Sequence, residues 1–298
     1  MSMTILVTGA TGRQGGAVIK ALQGTDFEIL ALTRSASSPA AAKLERTYPQ
    51  VKLLEGDQDD VPAIFDAAKK LTANPIWGVF NVQAKVTGPD KSIEEAQGKA
   101  MIDGSLAAGV QFFVYSSVDR GTAQTATAVP HWASKHNIEK YLESRTTGSY
   151  MEYTILRPTA FMEGFTNDFM GKAMASMWQQ ALPNDKRFQM VATKDIGWFA
   201  ADAFKHPTEY SGRATSLAGS ELTFDEANAI FKQKIGTDMP STFGIVSHLL
   251  LKTVKDVGLI FKFLKKEGNS ADVKELKSRH PGLTDFGTWL ETESPFRR

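Results

Sequence analysis

Ile5-Leu6-Val7-Thr8-Gly9-Ala10-Thr11-Gly12-Arg13-Gln14-Gly15-Gly16-Ala17-Val18-Ile19 sets Gly9, Gly12 and Gly15 at a three-residue spacing between a strand-like apolar run and a run of helical periodicity. Each glycine has a mechanical reason to be there. Gly9 permits a tight turn out of the strand, Gly12 removes a Cβ where backbone would approach a phosphate, and Gly15 lets helix and strand pack closely. The first N–H groups of the helix, aided by its dipole, would face an anion. The stretch, with Thr11, Arg13 and Gln14 on its rim, reads as a cradle for a dinucleotide pyrophosphate. A tight strand-to-helix turn without a ligand is the plainer alternative.

Outward from this loop, short aliphatic or β-branched runs alternate with helical stretches as far as residue 157. Thr4–Thr8, Glu28–Thr33, Val51–Glu55, Trp77–Val82, Phe112–Ser116 and Tyr153–Leu156 read as strands. Their continuous apolar character suits strands covered on both faces, which predicts an α/β fold with a doubly wound parallel sheet of Rossmann type. Residues 1–157 are expected to form this domain, and 158–298 a smaller, discontinuous region that returns elements to it. That second part is expected to hold a strand at Arg187–Val191 and helices near Asp195–Ala203 and Thr223–Lys234. Phe243–Lys266 is the longest apolar helical stretch. Lys252, Lys255 and Lys262 interrupt it too often for a membrane span. It suits a half-buried helix, with a surface for a partner or an anionic membrane as the other reading.

Composition narrows the function classes. The 298 residues are 42% hydrophobic and 22% charged, enough for a substantial core. The formal net charge of +1 argues against direct nucleic-acid binding. With no cysteine, thiolate metal sites, disulfides and cysteine nucleophiles are excluded, and no metal is expected. The first strand begins by about Thr4, which leaves no room for a signal peptide, so a cytoplasmic protein with access to the nucleus is expected.

In doubly wound sheets ligands lie beyond the carboxyl ends of the strands, so the residues after each strand are the site candidates. After the second strand come Arg34 and Ser35, where an NAD site usually places an acid. A guanidinium there suits a 2′-phosphate, with Arg13 reaching it from the other side, and NADP(H) is expected over NAD(H). A solvated arginine at a strand end is the bland reading of Arg34. After the third strand, Asp57 is placed to accept from an adenine amino group and Gln58 to line the ring edge, unless Asp57 or Asp59 merely forms a turn or helix cap. Asn81, Gln83, Ser116, Thr159 and Phe161 follow later strands and complete the rim. Residues 131, 135, 138 and 142 share one helical stripe, on which Ile138 and Leu142 face the core. Lys135 on that stripe needs a partner, and a ribose or Ser116 would serve.

These segments resemble the NmrA-like family of atypical short-chain dehydrogenases. The resemblance rests on the glycine loop, Gly56-Asp57, the Gly104–Ser117 run, His131-Trp132-Ala133-Ser134-Lys135, Lys194-Asp195-Ile196-Gly197, Leu217-Ala218-Gly219 to Thr223, and Phe286-Gly287-Thr288-Trp289-Leu290. It implies NAD(P) binding and either a redox-sensing regulator acting through a protein partner or a true reductase. Short-chain dehydrogenases use Tyr-x-x-x-Lys, the tyrosine as general acid and the lysine to hold the nicotinamide ribose. Here His131 stands in the tyrosine's place before Lys135. An imidazole differs from a phenol in reach and pKa, so His131 is either an acid or a helix-start residue after Pro130. Isoflavone-reductase-like relatives work with lysine and no tyrosine, which keeps Lys135 as a catalytic candidate.

Two functional expectations follow from the resemblance. One is an NADP(H)-binding regulator whose affinity for a protein partner depends on the bound nucleotide. The other is an NADPH-dependent reductase of a small apolar or aromatic carbonyl or enone, its pocket lined by Phe161, Met162, Phe165 and Phe169, which suit ordinary core equally well.

Overall fold

The computed structural model describes residues 3–83, 92–242 and 244–297. The first half alternates strictly: β1 (Thr4–Val7), α1 (Arg13–Ala21), β2 (Glu28–Thr33), α2 (Pro39–Thr47), β3 (Lys52–Glu55), α3 (Val61–Leu71), β4 (Ile76–Asn81), α4 (Ser92–Ala107), β5 (Phe112–Ser116), α5 (Pro130–Thr146) and β6 (Glu152–Pro158). The second half runs through β7 (Ala160–Phe161), α6 (Phe169–Ala181), β8 (Phe188–Val191), α7 (Thr193–Lys205), α8 (Pro207–Tyr210), β9 (Arg213–Leu217), β10 (Ser220–Leu222), α9 (Phe224–Ile235), α10 (Gly244–Thr253), α11 (Lys255–Lys266), α12 (Val273–Arg279) and α13 (Phe286–Thr292).

Helix starts have local causes. Ser38 accepts the Ala41 N–H to cap α2, and Asp60 accepts that of Ala63 to cap α3, each with a proline in the first turn. Thr223 and Glu226 form a reciprocal capping box at α9.

The main sheet has strand order β3-β2-β1-β4-β5-β6-β9, and neighbours from β3 to β6 are all parallel. This is the doubly wound sheet that the alternation predicts. β1 lies inside it, Val7 pairing with Ala31 on one side and Phe80 on the other. The chain reverses direction across the sheet at β1, so the crevice at the carboxyl ends of β1 and β4 is the switch point. Strand β9, which the sequence reading lacks, adds the seventh position.

Two compact units form. The first comprises Met1–Ser117, Ala133–Leu156 and Ile196–Thr215, and the second Val118–Trp132, Arg157–Asp195 and Ser216–Arg298. In the first, Leu6, Leu30, Val79, Phe113 and Ile155 from the strands bury against Ile64, Met101, Ile138 and Leu142 from the helices. Phe27, Trp77, Phe112 and Phe204 form an aromatic cluster with centroids 5.9–6.5 Å apart. The second unit has its own sheet, β10-β8-β7, and a core of Trp178, Phe165, Phe188, Phe231, Phe286, Trp289 and methionines.

The long apolar stretch is two helices, not one: the chain leaves helical geometry at Val254, between α10 and α11. Gly258 makes the turn feasible, since a Cβ there would stand 2.2 Å from the Leu251 carbonyl oxygen. Phe243, at which the single helix is expected to begin, lies outside the described residues. No described helix is long and apolar enough to cross a membrane.

Candidate functional site

The glycine loop takes the geometry its spacing implies. Gly9 has φ +59°, and a Cβ there would meet Val82 Cγ1 at 2.8 Å. The Gly12 N–H donates to the Gly9 carbonyl at 2.9 Å. A Cβ on Gly15 would stand 2.3 Å from that same carbonyl oxygen, so only glycine allows α1 to start so close to the end of β1. No side chain caps α1 at Gly12. The N–H groups of Arg13, Gln14 and Gly15 precede the first i to i−4 bond, which Gly16 makes to Gly12, so the loop presents donors to an anion.

Around the loop, polar side chains reach the carboxyl ends of β1, β3, β4 and β5. The Thr8 hydroxyl donates to the Val82 carbonyl and accepts the Val82 N–H, both at 2.8 Å, which clamps β1 to the exit of β4. Gln58 donates its amide to the same carbonyl at 3.2 Å. The Ser116 hydroxyl donates to Gln14 Oε1 at 2.6 Å and so ties the end of β5 to the first turn of α1. Four buried polar atoms here have no partner among the described residues: Gln58 Oε1, Asn81 Nδ2, and both Oε1 and Nε2 of Gln83. An unmet buried donor or acceptor costs about 1–3 kcal/mol, and clustering of such atoms at a switch point is what a polar ligand would satisfy. The cradle and these atoms fit a dinucleotide.

Beyond β2, Arg34 is exposed, as are Thr11 and Arg13 on the glycine loop, and neither arginine forms an ion pair among the described residues. Ser35 and Ser37 share a hydroxyl hydrogen bond of 3.0 Å. From the end of β3, Glu55 accepts the Ala36 N–H in the turn after β2 at 2.7 Å. Asp57 is exposed and accepts the Asp59 N–H at 3.1 Å in an Asx turn, while the cap of α3 is Asp60 rather than Asp57 or Asp59.

Lys135 lies on the α5 stripe with Ile138 and Leu142, both fully buried. Its ammonium donates to the Ser116 carbonyl at 3.3 Å and sits 3.2 Å from Glu94 Oε1, with 13% and 11% of the two side chains exposed. Glu94 Oε2 accepts the Ser134 hydroxyl at 2.6 Å, and the ammonium also lies 5.7 Å from the Tyr115 ring centroid. Sequence reasoning missed Glu94. Its signal was present: Glu94, Gly98, Met101, Ile102 and Ser105 form the buried stripe of α4, and a carboxylate on such a stripe implies a buried cation.

Three further sequence candidates belong to the second unit. His131 is half-buried at the start of α5 and packs its ring edge to face with Trp132. Thr159 directs both its N–H and its hydroxyl to the Leu217 carbonyl, each at 3.0 Å. Phe161 is half-buried at the end of β7. Of the proposed pocket side chains, Met162 and Phe165 are core, whereas Phe169 is 56% exposed at the first turn of α6.

The same unit holds buried or half-buried carboxylates to which the sequence assigned no role. Asp119 accepts from Gln124, Ser216 and Ser270 side chains on Oδ1 and from Asn269, the Ser270 N–H and the Gly121 N–H on Oδ2. Asp195 is pushed upward by burial, against the hydroxyl and N–H of Thr284 and the neighbouring His280 and Lys194. Glu163 Oε1 accepts the Thr193 N–H and hydroxyl at 2.8 and 2.7 Å. No group of three or more His, Asp or Glu among the described residues is arranged to hold a metal.

Comparison with known proteins places this geometry in context. The model of the NmrA-like family matches residues 1–275. An NmrA-like family domain-containing oxidoreductase, FrzB of a Cladobotryum species, is 28% identical over 299 residues, covering 90% of this chain and 85% of its own. The crystal structure of NmrA, a negative transcriptional regulator, in complex with NAD superposes with a TM-score of 0.75 at 18% identity, over 98% of this chain and 95% of that one. NmrA is also known in complex with NADP. The triphenylmethane reductase of a Citrobacter species, complexed with NADP(H), superposes with a TM-score of 0.71 at 20% identity, over 96% and 98% of the two chains.

Proposed function

The chain belongs to the NmrA-like family, and from that premise we propose that it binds NADP(H) in preference to NAD(H) and acts as a redox-sensing regulator through a protein partner. The observation that carries this reading is the glycine cradle with unpartnered buried side-chain atoms of Gln58, Asn81 and Gln83 around it. In this reading the N–H groups opening α1 hold the pyrophosphate, Arg34 and Arg13 hold the 2′-phosphate with Ser35, and Asp57 and Gln58 border the adenine. Asn81, Gln83 and Ser116 border the nicotinamide half, and Lys135 holds its ribose. NmrA, a regulator, and FrzB, an oxidoreductase by name, mark the two roles open to relatives of this fold. Regulation requires that the two nucleotide states differ in their contacts with two protein conformations, since equal binding shifts nothing.

The second reading is an NADPH-dependent reductase of a small carbonyl or enone substrate. It draws on Lys135, a half-buried cation already seated at the end of β5 beside Ser116. The bound cofactor would supply the hydride, and Lys135 would orient the ribose and steady negative charge developing on the substrate oxygen. A tyrosine is missing, and His131 is the residue at its sequence position. Calorimetric titration with NADP+, NADPH, NAD+ and NADH, together with a screen for NADPH consumption against carbonyls and enones, tests both readings. Arg34→Asp is expected to weaken NADPH by roughly ten-fold or more and NADH little, because a charge-assisted contact contributes about 1.5–3 kcal/mol. Equal affinities for NADPH and NADH, before and after the change, would remove Arg34 from the site.

A further inference from the structure

We infer that Glu55 limits the chain's selectivity for a 2′-phosphate, so that both NADP(H) and NAD(H) are bound with affinities closer than the two arginines alone would produce. The inference rests on the dinucleotide reading of the glycine cradle. Glu55 ends β3 directly beside Thr33, the last residue of β2, and the Gly56 N–H bonds to the Thr33 carbonyl at 2.9 Å. Side chains of directly paired residues in a parallel sheet leave on the same face, so Glu55 stands next to the strand end where doubly wound folds bind the adenosine ribose.

Its carboxylate crosses to the turn after β2 and takes the Ala36 N–H at 2.7 Å. Two consequences follow. The turn carrying Arg34, Ser35 and Ser37 is pinned, and the Ala36 N–H is occupied by the carboxylate. Glu55 and Arg34 are both exposed, and no ion pair joins them among the described residues, so the carboxylate stands at the turn without direct pairing to the arginine. A dianionic 2′-phosphate bound there meets that charge, whereas a 2′-hydroxyl meets a hydrogen-bond acceptor.

The substitution that isolates the charge is Glu55→Gln, because the amide oxygen still accepts from Ala36 and keeps the turn in place. Glu55→Asp keeps the charge and shortens the reach. Dissociation constants for NADP+ and NAD+ are to be measured by calorimetry on the full chain at low and at physiological salt. Glu55→Gln is expected to tighten NADP+ by roughly three- to ten-fold at low salt, with NAD+ within two-fold of the parent. The gain shrinks as salt screens the repulsion. Glu55→Asp is expected to leave the ratio of the two affinities near that of the parent. Equal changes for both nucleotides, or weaker NADP+ binding by Glu55→Gln, would overturn the role of Glu55 alone. A parent protein that binds neither nucleotide would overturn the cradle reading and this inference with it.

Discussion

The two compact units treat buried polar groups in opposite ways. In the first, Gln58, Asn81 and Gln83 are buried at the strand ends with side-chain atoms that find no partner among the described residues. In the second, Asp119 is equally buried, and both its oxygens are saturated by six donors drawn from the segments 121–124, 216 and 269–270. On the proposed reading, the contrast separates a polar group left for a ligand from one that fastens the chain. Unsatisfied buried polarity costs stability unless something binds, whereas a saturated carboxylate holds loops that have little apolar surface of their own.

The largest expected effect attacks the fastening. Asp119→Ala removes the shared acceptor of six donors, of which the Gly121 N–H is buried and the others partly so, and leaves the Gln124 amide nitrogen and the Ser216 and Ser270 hydroxyls only their bonds to one another; Gln124 is held with φ +49° in the left-handed region. Urea unfolding is expected to show a loss of about 1–3 kcal/mol, the range for leaving a buried donor without its acceptor. A loss under about 1 kcal/mol would mean that water replaces the carboxylate, and the contrast between the units would collapse.

Next comes the ligand side. Gly12→Val puts its isopropyl group where backbone and pyrophosphate would meet, at a φ of −93° that any residue adopts, with only the Gly9 carbonyl near, 3.2 Å from the Cβ position. Dinucleotide affinity is expected to fall by roughly a hundred-fold or more while the thermal midpoint stays within a few degrees of the parent. Full affinity in the folded variant would dismiss the loop as a phosphate site.

What was legible in the sequence divides along the same line. The glycine spacing and the six apolar runs report local requirements, a turn and a buried strand, so each is readable from its own residues. Strand β9 was missed because Arg213-Ala214-Thr215-Ser216-Leu217 is an edge strand with a polar, half-exposed surface and no apolar run. The break at Val254 was missed because neither proline nor glycine marks it, and Gly258 acts four residues later. The Asp119 network was out of reach for a different reason: its partners at Ser216 and Ser270 lie 97 and 151 residues away, and nothing local to Asp119 announces them. Glu94 was readable from its helical stripe, but only by asking which cation answered it.

Within the first unit, one carboxylate departs from the pattern of waiting polarity. Glu28 at the start of β2 is pushed up by burial, but the Lys52 ammonium and the donors of Thr72, Thr4 and Asn74 more than reverse this and hold its pKa at about 2. A depressed carboxylate contributes stability that is fully present above its unfolded pKa of about 4.5 and disappears as pH falls toward 2. Since Lys52 is nearly half exposed, solvent screens part of that gain. Glu28→Gln is expected to cost about 1–2 kcal/mol at pH 7 and to flatten the fall in stability between pH 4.5 and 2. An unchanged acid limb in the variant would assign that limb to other carboxylates.

The smallest expected change is the one that decides between the two functions. Lys135 is anchored by Glu94 and the Ser116 carbonyl without any ligand, so part of its charge is already answered within the protein. Lys135→Met alone would leave the buried Glu94 carboxylate without its cation and with the Ser134 hydroxyl as a donor, so the substitution is best made together with Glu94→Gln and compared with Glu94→Gln alone. If Lys135 only holds the ribose, that comparison shows a few-fold loss of cofactor affinity, and neither form consumes NADPH with any substrate screened. If Lys135 also takes part in reduction, the form that keeps it turns over some carbonyl or enone, and the double variant loses about 10²–10⁴-fold in rate with affinity nearly intact. The first outcome is expected, because the position where short-chain dehydrogenases keep their acid holds His131, a half-buried ring packed against Trp132. An NADPH-consuming reaction that collapses on removal of the lysine, with binding unaltered, would instead make Lys135 catalytic and the reductase the better account of the site.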